Sequence, residues 1–182
     1  MNKFKFILAS IVVALILGGC SNDKKENATP STTPASTQES KTADYWTVID
    51  GATWSDDYEG LKTTVKKIVV SNEVPLDGNK KPAVGVSFTI ENTTKDTFTT
   101  YPDQAVLVTS TGEQVEADMH QSEIIGGEIY EGVTKKGGVI FFLKEGHVED
   151  IKWITLKWLT HKGGSSDITR DNQKNYDVKI EF

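Results

Sequence analysis

Apolar and polar residues alternate with period two at Val84, Val86, Phe88 and Ile90 against Gly85, Ser87 and Thr89, and again at Tyr176, Val178, Ile180 and Phe182 against Asp177, Lys179 and Glu181. That period sends successive side chains to opposite faces and predicts half-buried antiparallel strands. Further β-rich runs lie at Leu61 to Val70, Thr97 to Tyr101, Ala105 to Ser110, Gln114 to Met119, Gly138 to Leu143 and Ile151 to Thr160. Between the runs, Asn92 to Asp96, Ser110-Thr111-Gly112, Gly126-Gly127 and Lys162 to Ser166 supply turn chemistry. Within the Leu61 run the phase slips. Leu61, Thr63 and Val65 share one parity and Ile68 and Val70 the other, so a bulge is expected near Lys66-Lys67. Trp153 and Trp158 fall on opposite faces of one strand, and only one of them can enter a shared core unless a bulge intervenes. No stretch sustains a helical period. Seven or eight short strands with no helices to cover a parallel sheet predict an all-β, two-sheet antiparallel sandwich.

The first 42 residues follow a different pattern. Lys3 and Lys5 precede a run from Phe6 to Leu17 that is apolar apart from Ser10, the layout of an export signal. The run is shorter than the roughly 20 apolar residues that a membrane-crossing helix needs, which predicts removal rather than retention. Leu17-Gly18-Gly19-Cys20 resembles the lipobox of bacterial lipoproteins, in which an aliphatic residue and two small residues precede the cysteine that becomes the new N-terminus. The resemblance implies cleavage between Gly19 and Cys20, a diacylglyceryl thioether on the Cys20 sulfur and an acyl group on the freed amine. Two or more chains suffice for stable anchoring, because each buried methylene contributes about 0.8 kcal/mol. Residues 1–19 are thus read as a lipoprotein signal peptide and residues 20–42 as the lipidated cysteine and its tether. From Ser21 to Thr42 the chain is built of Ser, Thr, Asn, Gln, Lys and Glu with scattered Ala and Pro, and cannot bury enough surface to offset its conformational entropy. Such a disordered tether averages on the order of 26 Å end to end and reaches about 75 Å when extended. The domain that follows, residues 43–182, is expected to work close to a membrane on its extracytoplasmic face.

Charge and cysteine content narrow the function classes. Without the two leader lysines and the balanced tether, 15 basic and 23 acidic side chains remain, a net charge of about −8. An acidic surface argues against nucleic acid and against adhesion to anionic lipid, both of which need basic residues. Cys20 is the one cysteine, so an intradomain disulfide and a thiolate metal cluster are both excluded.

Three segments carry a further resemblance. Val84 to Thr93, Val106 to Gly112 and Glu131 to Phe141 are similar to an uncharacterised family of Gram-positive lipoproteins. In that family one strand ends in Asn-Thr, a second ends in a Gly turn, and a Gly-x-x-x-x-Gly loop leads into a strand ending in Phe. Its domains resemble the immunoglobulin-like fold of a mycobacterial secreted immunoprotective antigen. The resemblance implies an immunoglobulin-like antiparallel β-sandwich and an envelope location, and no activity. Glu131 stands where the family commonly has Pro before the first Gly, a departure that bears on the shape of that loop.

Enzyme chemistry is sparse. His120, His147 and His161 lack zinc-type spacing and read as loop or surface histidines. Gly163-Gly164-Ser165-Ser166-Asp167 lacks the Gly-x-Ser-x-Gly frame and reads as a flexible loop. Gly132 to Gly138 has phosphate-loop glycine spacing without the following Lys-Ser/Thr and reads as a hairpin turn. No cofactor motif is present, and nothing in their placement singles out a catalytic pair among the carboxylates. Asp56, Asp57 and Glu59 beside Asp50 offer oxygen ligands to a cation such as calcium, but without EF-hand spacing they read as a solvated acidic loop. Among the aromatic residues, Trp46, Trp54, Tyr58 and Trp153 are candidate ligand-binding rings, because exposed indole and phenol faces stack on sugars; the alternative is that they pack between sheets. The reading is a noncatalytic binding or interaction module of the cell envelope, taking a wall glycan or an envelope protein. A hydrolase of wall polymer and a structural accessory of a membrane protein are the alternatives.

Overall fold

The Val84 alternation lies in the longest hairpin of the molecule, and its even-numbered residues are buried while Ser87 and Thr89 remain half-exposed. A computed structural model describes residues 45–182, so the leader, the Gly19-Cys20 cleavage site, the Cys20 lipidation site and the tether lie outside the described residues. Eleven strands are present among these residues: β1 (Thr47–Ile49), β2 (Trp54–Tyr58), β3 (Leu61–Leu76), β4 (Asn79–Asn92), β5 (Phe98–Thr100), β6 (Val106–Thr109), β7 (Gln114–Glu116), β8 (Gly127–Ile129), β9 (Thr134–Phe142), β10 (Trp153–Lys162) and β11 (Gln173–Glu181). The excess over the expected seven or eight comes from pieces of three to five residues, too short to show a period. Single 3-10 turns at Pro102–Gln104 and Val148–Asp150 are the helical elements among the described residues, and no helix there is long and apolar enough to cross a membrane.

All pairings are antiparallel. In the first sheet β3 pairs with β4, and β4 with β9, while β1 and β2 take turns along the other side of β3. In the second sheet β11 flanks β10 from residue 153 to 161, and β6 and β5 share its opposite side, continued outward by β7 and β8. Two-residue turns with positive φ at both positions, Glu59-Gly60 and Asp77-Gly78, close the hairpins on either end of β3. Their mirror-type geometry matches the twist of the strands they join. The chain adopts the immunoglobulin-like antiparallel sandwich expected of it.

The phase slip in the Leu61 run is a bulge, as expected. Val65 faces Phe88 and Lys67 faces Ser87, which leaves Lys66 as the extra residue. Through it Leu61, Val65, Ile68 and Val70 all reach the core, and Lys66 and Lys67 are both left exposed on the outside. The core also holds Phe88, Phe98, Phe141, Ile154, Leu156 and Trp158, each 6% exposed or less. Burial of such a side chain contributes about 1.5–3 kcal/mol.

Two expectations are corrected. The Gly132 to Gly138 segment is not a hairpin turn. The turn stops at Gly132, and Gly137 and Gly138 lie inside β9, paired with Phe88 and Ser87. His161 is not on the surface. It is 2% exposed, because the loop after β10 folds back over it and the Gly164 carbonyl accepts its Nε2 at 2.9 Å. His120 and His147 are exposed, on separate loops.

Candidate functional site

The four candidate rings do not converge. Trp54 and Tyr58 share the inward face of β2 and are committed to contacts between the sheets. Trp54 meets the rings of Trp158 and Tyr176 edge-on at 5.7 and 5.4 Å, and those two stack at 4.4 Å. Tyr58 packs edge-on against Phe98, and its hydroxyl donates to the Asn172 carbonyl at 3.0 Å. Trp153 and Trp158 divide as expected: Trp158 is in the core, and Trp153 stays on the outside of the second sheet with the Lys179 ammonium 5.0 Å from its ring centre. Trp46, just before β1, lies apart from the other three, on the solvent side of the first sheet.

The acidic cluster is not a loop, and its members are individually engaged. Asp56 and Asp57 belong to β2. Asp56 accepts from Lys174 Nζ at 2.6 Å and from the Tyr176 hydroxyl at 2.8 Å. Burial works against its charge, but those two bonds and the Lys174 charge hold its carboxyl below the usual range. Tyr176 is pushed well above the usual phenol range, first by burial and then by the bond to, and charge of, Asp56. Asp57 accepts the Gly60 N–H at 2.6 Å and so braces the turn. Glu59 pairs with Lys162 at 3.4 Å, and Asp96 reaches the same ammonium at 2.8 Å. Among the described residues no group of three or more His, Cys, Asp or Glu side chains is arranged to hold a metal ion.

A concavity lies on the solvent face of the first sheet. Trp46, Val69, Gly85 and Ile140 make an apolar shelf at one end, and Ser87, Gly138, Lys67, Lys136 and Glu123 continue it as a polar floor and rim, enclosing about 440 Å³. That is within the range of small-molecule sites. The shelf requires glycine at position 85: a Cβ there would stand 2.8 Å from Val69 Cγ2, 3.3 Å from Ile140 Cδ1 and 3.6 Å from Trp46 Cη2. A second depression of about 580 Å³, lined by Lys66, Thr89, Glu91 and Thr134, shares Ser87 and Lys136 with the first. Together they form one trough across β3, β4 and β9.

The trough is held open at the β9 edge by the segment 118–125. The Asp118 N–H donates to the Ile140 carbonyl at 2.8 Å and the Glu123 N–H to the Gly138 carbonyl at 2.9 Å. In return the Ile140 N–H donates to Ser122 Oγ at 2.9 Å and the Gly138 N–H to Glu123 Oε2 at 2.6 Å. Satisfying the edge in this way blocks further strand addition there. Close approach of the segment requires glycine at position 137, where a Cβ would stand 2.5 Å from Ile125 Cγ2.

Of the trough residues, sequence reading singled out only Trp46. Lys66, Lys67, Lys136, Gly85 and Glu123 were missed as site residues. The phase slip at Lys66-Lys67 and the Gly137-Gly138 pair inside a β run are the signals that mark them.

Fold and trough together define a two-sheet immunoglobulin-like sandwich with a ligand-sized hollow on one sheet face. No protein-family model matches the chain, and no curated protein does. Among solved structures, a functionally unknown protein from Listeria monocytogenes EGD-e is 18% identical with a TM-score of 0.50, over 75% of this chain and 87% of that one. A candidate lipoprotein (ycdA) from Bacillus subtilis is 15% identical with a TM-score of 0.44, over 70% of this chain and 38% of that one. The secreted protein MPT63 from Mycobacterium tuberculosis is 12% identical with a TM-score of 0.41, over 70% of this chain and 93% of that one. The first of these likenesses supports the shared sandwich fold and nothing beyond it.

Proposed function

We propose that this protein is a noncatalytic binding module, anchored at the extracytoplasmic face of the membrane by lipid on Cys20, which takes an envelope glycan into the trough on its first sheet. The observation that carries the reading is the half-buried Trp46 indole beside Gly85 at one end of a trough that continues along Ser87 and Gly138. An aromatic face beside small and hydroxylic residues suits a sugar ring, which presents C–H groups on one side and hydroxyls at its rim. The commitment of Trp54, Tyr58 and the acidic cluster to structural contacts leaves the trough as the better-suited surface. The anchor is supported by Leu17-Gly18-Gly19-Cys20 after a basic start and an apolar run.

Titrating residues 43–182 with solubilised wall fragments while following tryptophan fluorescence tests the site. Binding is expected to change the emission of the wild type and to be lost in Trp46→Ala, with no turnover of the fragments. An unchanged spectrum at millimolar fragment removes the proposal. Mass spectrometry of the native protein tests the anchor separately, with an acylated N-terminal Cys20 as the expected result and an intact Met1 with a free thiol as the contrary one.

A further inference from the structure

The trough carries a charge pattern that its domain does not. In a domain with a net charge of about −8, Lys66, Lys67 and Lys136 converge on the middle of the trough around Ser87. All three are exposed, and none enters an ion pair among the described residues. By contrast Lys157, Lys162, Lys174 and Lys179 on the second sheet are each matched to a carboxylate. The convergence has a structural cause. The bulge at Lys66 puts two consecutive lysines on one face where a regular strand would turn one away, and β9 places Lys136 opposite Thr89, next to the Ser87 row. Lys67 and Lys136 stand two strands apart, roughly 10 Å across the sheet, so their long side chains can close on one group held over Ser87. Of the two trough carboxylates, Glu91 is at the far end opposite Thr134, while Glu123 stands beside Gly138, the cross-strand partner of Ser87, and accepts the Gly138 amide at 2.6 Å.

Resting on the reading above, we infer that the ligand is an acidic glycan, its sugar ring on Trp46 and a carboxylate or phosphate substituent held over Ser87 by Lys66, Lys67 and Lys136. The Glu123 carboxylate beside the lysines and Glu91 at the far end disfavour a densely charged polymer and fit one with separated acidic groups. The ammoniums are open to water, so they act by charge and are screened by salt, with a Debye length of about 10 Å at 0.1 M.

The test uses the same solubilised wall fragments in three forms: untreated, amidated at their carboxylates, and stripped of phosphate. Loss of affinity by about tenfold or more on one treatment is expected, and identifies which acidic group is held. The Lys66→Gln/Lys67→Gln/Lys136→Gln variant is expected to lose a similar factor toward untreated fragments and to be insensitive to salt. A Lys152→Gln/Lys157→Gln/Lys179→Gln variant, equal in charge change but altered on the other sheet, should bind as the wild type does. Equal affinity for all three fragment forms, or equal loss in the two lysine variants, overturns the inference and leaves the glycan reading standing. Failure of untreated fragments to bind removes both.

Discussion

Asp56 of β2 and Tyr176 of β11 close the open side of the sandwich, the carboxylate of one sheet accepting the hydroxyl of the other at 2.8 Å with Lys174 on the same oxygen at 2.6 Å. The pair joins the two edge strands that share no backbone pairing. Behind it Tyr176 stacks on Trp158, so the bond also fixes the ring that roofs the core.

Asp56→Ala should therefore destabilise the domain by about 1–3 kcal/mol, because two partly buried donors lose their acceptor. The sign of the pH dependence follows from the depressed carboxyl of Asp56. Its contribution is complete above the unfolded carboxyl value of about 3.9 and disappears as pH falls through the lower folded value. Urea unfolding at about pH 6 and about pH 2.5 should show the difference between wild type and variant shrinking at the lower pH. A difference equal at both would contradict an ionic role.

Asn92 is 1% exposed and uses its whole amide. Nδ2 donates to the carbonyls of Asp96 at 2.6 Å and Ile129 at 2.9 Å, and Oδ1 accepts the N–H and the hydroxyl of Thr94, each at 2.9 Å. One side chain thus holds the turn after β4 and ties it to β8. Asn92→Ala should cost about 2–4 kcal/mol, and Asn92→Asp should not rescue it, since a carboxylate has no N–H for the two carbonyls. A melting temperature within a degree or so of wild type would refute this role.

Glu128 is half-exposed, yet its carboxyl is lowered to about 2 by the Tyr130 hydroxyl and by the N–H and hydroxyl of Ser165. The interaction is present above the unfolded glutamate value of about 4.3 and is lost as pH falls to about 2. An NMR titration of the Glu128 carboxyl carbon should give a midpoint near that value, and Tyr130→Phe should move it upward. A midpoint at the ordinary glutamate value in wild type would mean that the loop carrying Ser165 is not held to β8.

Gly137→Ala tests what keeps the trough open. Its Cβ would stand 2.5 Å from Ile125 Cγ2 and 3.0 Å from Glu123 Cβ, so the 118–125 segment must move. A cost of about 1–3 kcal/mol is expected from overpacking. Hydrogen exchange at the amides of Gly138 and Ile140, which donate into that segment, should accelerate in step. Unchanged protection would show that the segment holds its place by other contacts.

Much of the architecture is legible in the residues alone. Alternation marks the faces of β4 and β11, the broken phase in β3 locates the bulge, and the odd spacing of Trp153 and Trp158 separates an outer ring from a core one. Reading failed where the signal is short or comes from elsewhere. β1, β2 and β8 span three to five residues, less than a recognisable period, so Asp56 and Asp57 were assigned to a loop. His161, which lacks metal-ligand spacing and reads as a loop or surface histidine, lies on the outer face of β10, and the following loop covers that face.

Local order along the chain determines which way each side chain points, because a strand's two faces follow from backbone geometry between neighbours. It therefore determined the sandwich, its bulge and its inner and outer residues. Which strands lie side by side is decided by pairing over dozens of residues, through burial summed over whole sheets rather than any local preference. Only that pairing removed Trp54 and Tyr58 from the list of free rings, and only it set Lys136 of β9 across from Lys66 and Lys67 of β3 with Trp46 at the end of the same trough.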